Sequence, residues 1–422
     1  PGGPADWAWY RLIDDLKVQT DDVLTVQFEL EGFDGWVAGA SGDRRPVYLD
    51  HAATAPVDPR VAEEVLSYMS YEFGNAGSRT HGYGQVARER VNRARQEVAV
   101  VVAATPDEVI FTSGATESNN LAILGLAAHG EATGKRHIIS TQIEHKAVLE
   151  PLEVLGGRGF EVELLAPTEG GWVSPEAVAA ALRPDTLLVS VMAVNNETGV
   201  VQPIEEIASL LEGNDAFLHV DAAQAFGKLI APLQTKRIDL LSVSGHKIGA
   251  PKGIGALITR RRGFKRPPLQ PLMYGGGQER GLRPGTLPVP LIAALGTAST
   301  LALKEANQRA ASAEAIKQGL IKALLPLGAI VNGDPERTVP TTLNVSIPGV
   351  DSEAAIVALK DVVAVSNGSA CTSQSYEPSH VLLAAGLPRE RIEGALRFSW
   401  GPATTEVPVQ LITERLKGLV RG

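Results

Sequence analysis

From Pro46 onward, short apolar runs alternate with longer segments of helical period, and this alternation limits the fold more than any other feature of the chain. "EVIFTS" (108–113), "HIIST" (137–141), "EVELLA" (161–166), "TLLVSVMAV" (186–194), "AFLHVDA" (216–222), "LLSVSG" (240–245) and "GALITR" (255–260) each read as strands. Most are separated by 15–25 residues, the length of a helical crossover rather than of a hairpin. "PEAVAAALR" (175–183) and "PIEEIASLLE" (203–212) start with proline at a first helical position, where its missing N–H goes unused anyway. The pattern predicts an α/β fold built on a doubly wound, mostly parallel sheet. Ligands then bind at the carboxyl ends of its strands.

A long helical stretch, 288–325, divides the chain. After it come a strand "TTLNVSI" (341–347), a helix at 352–360, a Ser/Gly-rich loop around Cys371 and a final helix, which read as a smaller α+β domain. The expected division is a large domain over 61–304 and a small one built from 46–60 and 305–422. Residues 1–45 read as an appended segment, with three of the five tryptophans and one strand-like alternation, "VLTVQFEL".

Apolar residues make up 44% of the 422, enough for a sizeable core, and the formal net charge is −9. That charge argues against direct nucleic-acid binding. The one basic run, "RRRGFKR" (260–266), reads as a solvated loop. There is no stretch of 18 apolar residues and no basic-then-apolar leader, so neither a membrane span nor export is expected. With a single cysteine, no disulfide can form within the chain, which suits the reducing cytoplasm.

Several strand ends carry chemistry. "TSGATESNN" (112–120) places a Ser-Gly-Ala-Thr turn between a strand and a helix, where free N–H groups and the helix dipole suit either an anion or an ordinary helix cap. Asp221 ends "LHVD", a costly place to bury a carboxylate without a partner. Lys247, in "SVSGHKIGAPKGIGAL" (242–257), follows another strand 26 residues on. In a parallel sheet the two ends share an edge. A lysine that can bond a cofactor aldehyde, beside an aspartate that can face a protonated ring nitrogen, is the pair that pyridoxal 5'-phosphate requires. His246 and Ser244 are within reach of a phosphate. His145 could shuttle protons or be structural. Asn195 and Asn196 occupy a further strand end, where turn-forming asparagine is common. The Gly-rich "MYGGGQERGLRPGT" (273–286), with Arg280 and Arg283, could lend Thr286 to a phosphate or be a surface loop. Cys371 lies among Ser, Gly, Ala and Thr rather than apolar residues, a setting that can deliver a thiolate. Arg397, on a strand in "ALRFSWG", suits a bidentate grip on a carboxylate. No metal site is indicated.

In their order, "YLDHAATAPV", "SGATESNN", "EHKAVLE", "NNETGVVQPI", "HVDAAQ", "SGHKIGAPKGIGAL", "GGGQERGLRPGT", "SNGSACTS" and "LRFSWG" resemble the cysteine desulfurases of the class V aminotransferase family over residues 47–422. The resemblance implies the fold type I of pyridoxal-phosphate-dependent transferases, with a seven-stranded sheet in the large domain. It implies that Lys247 holds the cofactor, His145 stacks on its ring, Asp221 pairs with the ring nitrogen and Gln224 meets the ring hydroxyl. Ala115, Thr116, Ser244 and His246 would bind the phosphate, joined by Thr286 from the partner subunit of a homodimer. Arg397 and Asn196 would hold the carboxylate of L-cysteine. Cys371 would take the sulfur as a persulfide, release alanine, and pass the sulfur to an acceptor protein. "SACTS" resembles the branch with a long, mobile cysteine loop. More loosely, the chain resembles desulfurases that supply DNA phosphorothioate modification, with iron–sulfur cluster assembly as the other destination. "GNAGSRTHG" and "RPGT" depart from the family's usual Gly-Asn-Pro-Ser-Ser-x-His and Arg-Ser-Gly-Thr, which touches Asn75 and the partner-subunit loop. Selenocysteine lyase or another aminotransferase-type reaction is the alternative on the same cofactor.

Overall fold

The computed structural model describes residues 45–368 and 378–420. The N-terminal segment with its strand-like alternation and the loop carrying Cys371 lie outside the described residues.

Twelve strands occur among the described residues: β1 (Val47–Tyr48), β2 (Val109–Thr112), β3 (His137–Thr141), β4 (Glu161–Leu165), β5 (Thr186–Met192), β6 (Phe217–Asp221), β7 (Leu240–Ser244), β8 (Gly255–Thr259), β9 (Ile330–Val331), β10 (Thr342–Ser346), β11 (Val363–Ala364) and β12 (Ala395–Ser399). All seven strands expected in the large sheet are present, in the order β2-β8-β7-β6-β5-β3-β4. From β7 to β4 neighbouring strands are parallel, whereas β8 runs antiparallel to both β2 and β7. Alternate residues serve opposite faces. Ile110, Ile138, Leu240 and Leu257 join one buried cluster, while Phe111, Ile139, Leu241 and Ile258 join the other. Burial on both faces explains why these strands read as unbroken apolar runs.

The register sets up the site. Thr112 at the end of β2 and Ser244 at the end of β7 both pair with Gly255 at the start of β8. A Cβ on Gly255 would lie 2.3 Å from the Val243 carbonyl oxygen and 2.6 Å from Gly114 Cα, so only glycine lets the three segments close together. Asp221 at the end of β6 pairs with Met192 of β5 and Ser242 of β7. Two residues earlier, buried His219 spans these neighbours, its Nδ1 2.8 Å from Ser190 Oγ and its Nε2 3.0 Å from Ser242 Oγ. Burial holds that ring neutral, its pKa lowered to about 4.

A second, antiparallel sheet has the order β12-β10-β9, and β1 pairs in parallel with β11. A third apolar cluster, including Leu49, Leu343, Phe398, Trp400 and Leu416, packs here. Two local expectations change. The helical stretch 288–325 is two helices, Val289–Lys304 and Ala306–Leu324, parted at Glu305 (φ −102°, ψ 8°), whose carboxylate accepts from Arg60 at 2.6 Å and Arg309 at 2.8 Å. Pro203 is an N-cap rather than the first helical residue of Ile204–Leu210.

The basic run at 260–266 is exposed over 261–265, as expected of a solvated loop, but its arginines are paired. Arg260 is buried and donates to the carbonyls of Val102 and Leu233, Arg262 pairs with Asp239 at 2.6 Å, and Arg261 and Arg266 both pair with Asp107. These arginines clasp neighbouring segments. Among the described residues no helix is long and apolar enough to cross a membrane.

Candidate active site

A cavity of about 500 Å³ opens at the carboxyl ends of β5, β6 and β7. Lys247 enters it from a single helical turn, Gly245–Lys247, that directly follows β7. Its Nζ donates to the carbonyl oxygens of Ala52 (2.5 Å) and Ala53 (2.6 Å). Across the cavity, Asp221 Oδ1 accepts from the Ala223 N–H at 2.9 Å and Oδ2 accepts from Asn119 Nδ2 at 2.7 Å. Asn119 is fully buried on the helix Ala115–Gly125, so the helix that opens at the Ser-Gly-Ala-Thr turn also braces the aspartate.

His145 caps the helix Lys146–Gly157, its Nδ1 accepting from the Ala147 N–H at 3.0 Å. A neutral ring in this bond carries its proton on Nε2. Burial lowers the His145 pKa against the opposing pull of Asp221, with Lys247 and His380 adding to the lowering. Ser113, Ala115, Thr116, Ser244 and His246 line the end of the cavity at the helix start. Burial, then Lys247, Lys252 and Lys228, push the His246 pKa down to about 4. Lys228 is itself pushed down to about 7, by burial and then by Lys247 and Arg397. Lys247, Lys252 and Arg397 line the cavity, so an anion bound there would meet cationic side chains.

Gln224 also lines the cavity, its Nε2 donating to Ala52 O at 2.9 Å and its Oε1 facing Lys228 Nζ at 3.4 Å. Arg397 sits within β12, 2% exposed. Its guanidinium donates to Asp50 Oδ1 at 2.7 Å and to the Asn196 carbonyl at 2.9 Å, while Nε and the Asn196 Oδ1 are buried without partners.

The fold thus brings together ten residues expected at the site: Lys247, Asp221, Gln224, His145, Ala115, Thr116, Ser244, His246, Asn196 and Arg397 all line the one cavity. Thr286 does not; it is exposed and stands apart from the cavity of its own chain. Cys371 lies outside the described residues. Asn195 is structural, its Oδ1 accepting from the N–H groups of Glu197 and Thr198. Arg283 pairs with Glu117 at 3.1 Å, and Asn75 Oδ1 accepts from the Gly77 N–H. Sequence reasoning missed Asn119, Asp50 and Glu144, which act on site residues far away in sequence, and Lys252, which lines the cavity.

These groups fit pyridoxal 5'-phosphate. A primary amine faces the space, a carboxylate braced by two donors can hold a protonated ring nitrogen, and a helix start among cations suits a phosphate. The unpartnered Arg397 Nε and Asn196 Oδ1 leave donor and acceptor capacity for an amino-acid substrate.

The aminotransferase class-V family model matches residues 47–412. The chain is 47% identical over 375 residues to "Cysteine desulfurase IscS" of Vibrio cholerae, covering 88% of this chain and 92% of the relative. It is 46% identical over 375 residues to "Cysteine desulfurase, mitochondrial" of Arthroderma benhamiae, covering 88% and 74%. Among solved structures, DndA from Streptomyces lividans superposes with a TM-score of 0.75 at 56% identity, covering 84% of this chain and all of that one. The fold, the cavity and these likenesses together place the chain in the aminotransferase class-V family, among its pyridoxal-phosphate-dependent cysteine desulfurases.

Proposed function

We propose that this chain converts L-cysteine to L-alanine and leaves the sulfur as a persulfide on Cys371. The observation that carries the reading is the convergence of Lys247, Asp221 and Arg397 on one cavity, giving an amine, a ring-nitrogen partner and a carboxylate grip. When bound, pyridoxal 5'-phosphate supplies an electron-withdrawing ring that makes the substrate Cα proton acidic.

The protein's own groups do the rest. Lys247 would hold the cofactor, and its amine is the group placed to accept the substrate Cα proton. Asp221, braced by Asn119, keeps a proton on the ring nitrogen. His145, neutral with its proton on Nε2, would stack on the cofactor ring and can move protons. Gln224 meets the ring hydroxyl, and Ala115, Thr116, Ser244 and His246 take the phosphate. Arg397 and Asn196 hold the substrate carboxylate. The Cys371 thiolate attacks the substrate sulfur; the carbon–sulfur bond breaks with its electron pair on carbon, which is protonated as alanine forms.

We place the cysteine-bearing residues 305–422, with 46–60, in a small domain beside a cofactor domain over 61–304; the separate apolar cluster around Leu343 and Phe398 supports this. The proposed assembly is a homodimer in which Thr286 reaches the partner's phosphate site. Its exposure, and its absence from the lining of its own chain's cavity, suit that role. A cytoplasmic location suits chemistry that needs a reduced thiol. The sulfur passes to an acceptor protein for DNA phosphorothioate modification or iron–sulfur cluster assembly.

The test adds L-cysteine and measures alanine and the mass of the Cys371 peptide. The wild-type protein should form alanine and gain one sulfur atom on Cys371, while Cys371→Ser should keep the cofactor band and lose sulfur transfer. Undiminished turnover by that variant would move the reaction to a lyase that does not use the thiol.

A further inference from the structure

We propose that Asp50 is the positioning residue that sets how Arg397 meets the substrate carboxylate, an inference that rests on the reading of Arg397 above. Asp50 lies just after β1, while Arg397 is 347 positions away in the middle of β12. Arg397 NH2 donates to Asp50 Oδ1 at 2.7 Å, and Ser366 Oγ donates to the same oxygen at 3.2 Å. The main chain closes the frame, since Arg397 N–H donates to Ser366 O at 2.7 Å and Ser366 N–H to Arg397 O at 3.4 Å.

A guanidinium has five N–H donors in a rigid plane, and it grips a carboxylate well only when that plane is fixed. Here NH2 is held by Asp50 and NH1 by the carbonyls of Asn196 at 2.9 Å and Gly368 at 3.5 Å, so the plane is set from both terminal nitrogens. Nε, buried and without a partner, is left along with the second NH2 hydrogen to receive an anion. Arg397 lines the cavity and Asp50 does not, so the aspartate acts from behind rather than by touching substrate. Without Asp50 the terminal NH2 loses its fixed acceptor. The fork can then rotate, and part of the carboxylate grip is spent on ordering it.

The argument concerns the acceptor oxygen, so the conservative variant separates orientation from charge. In Asp50→Asn, the two donors that converge on Oδ1 place the amide oxygen there and the NH2 where Oδ2 was. In Asp50→Ala, no acceptor remains. Ligands without a carboxylate should not notice either change.

The experiment measures dissociation constants by calorimetry on the cofactor-loaded protein, using L-alanine and ethylamine, and KM and kcat for L-cysteine. Asp50→Ala should weaken L-alanine binding and raise KM about tenfold or more, the scale of a lost charge-assisted contact. Ethylamine binding should stay within about twofold, and Asp50→Asn should recover L-alanine binding to within about threefold. Equal weakening of L-alanine and ethylamine would show general damage to the site and overturn the proposal. So would an Asp50→Asn variant as poor as Asp50→Ala, which would assign the effect to charge. A wild-type protein that leaves L-cysteine sulfur in place would sink the desulfurase reading, while the L-alanine and ethylamine comparison would still decide the role of Asp50.

Discussion

Replacing Glu144 with glutamine should abolish a pH dependence of stability that comes from one buried carboxyl. Glu144 is fully buried beside His145. Its Oε1 accepts from Thr141 Oγ1 and from the Met192 N–H, both at 2.8 Å, tying the ends of β3 and β5; Oε2 has no partner. Burial drives the carboxyl pKa up to about 8 from an ordinary value of 4.5. Between those values the folded protein holds a proton that the unfolded chain has released, so stability falls as pH rises across this window and levels off above it. At 1.36 kcal/mol per pH unit, the loss is about 5 kcal/mol over the whole window, of which about 4 kcal/mol falls above pH 5. In Glu144→Gln the amide oxygen keeps both bonds and there is no proton to lose. Urea unfolding of both proteins at fixed cofactor concentration, from pH 5 to pH 8.5, should show the variant gaining on the wild type by that order. Superimposable pH profiles would refute the reasoning. Glu144→Ala should instead destabilise at every pH, because it strands two buried donors at about 1–3 kcal/mol each.

Asn119→Ala removes one of the two donors that brace Asp221, a bond to a carboxylate at 2.7 Å. It should weaken cofactor retention by about 10- to 100-fold, read by dialysis and loss of the visible band; unchanged retention would show that Asp221 does not need this brace. Glu279→Ala removes the carboxylate paired with the largely buried Arg95, 2.6 Å away, leaving it the Val109 carbonyl, and also frees the Phe111 N–H behind the anion turn. A cost of about 3–5 kcal/mol, seen as a lower denaturation midpoint, is expected, and an unshifted midpoint would contradict it.

Much of this was legible before the structure. The strands were readable because both faces of the sheet are buried, and the site residues were readable because strand ends are where such a fold binds ligands. The antiparallel course of β8 was less plain, although only ten residues, 245–254, join it to β7, too few for a helical crossover. The supporting groups were hidden for a different reason. Asn119 meets Asp221 across 102 positions and Asp50 meets Arg397 across 347, and no local periodicity reports contacts so distant. The run at 260–266 is exposed over 261–265 as read, but the pairing of its arginines was hidden because Asp107 and Asp239 lie far off in sequence. The break at Glu305 was invisible to a helical period that continues on both sides of it.

The most direct test of the central claim is to locate the cofactor. Three lysines lie at this site, Lys247 and Lys252 lining the cavity and Lys228 behind Gln224. Borohydride reduction of the cofactor-loaded protein, followed by digestion and mass spectrometry, fixes a pyridoxyl group on whichever lysine bears it. The account predicts the adduct on Lys247 itself and none on Lys228 or Lys252. An adduct on either of those lysines, or none from a protein saturated with pyridoxal 5'-phosphate, would contradict it.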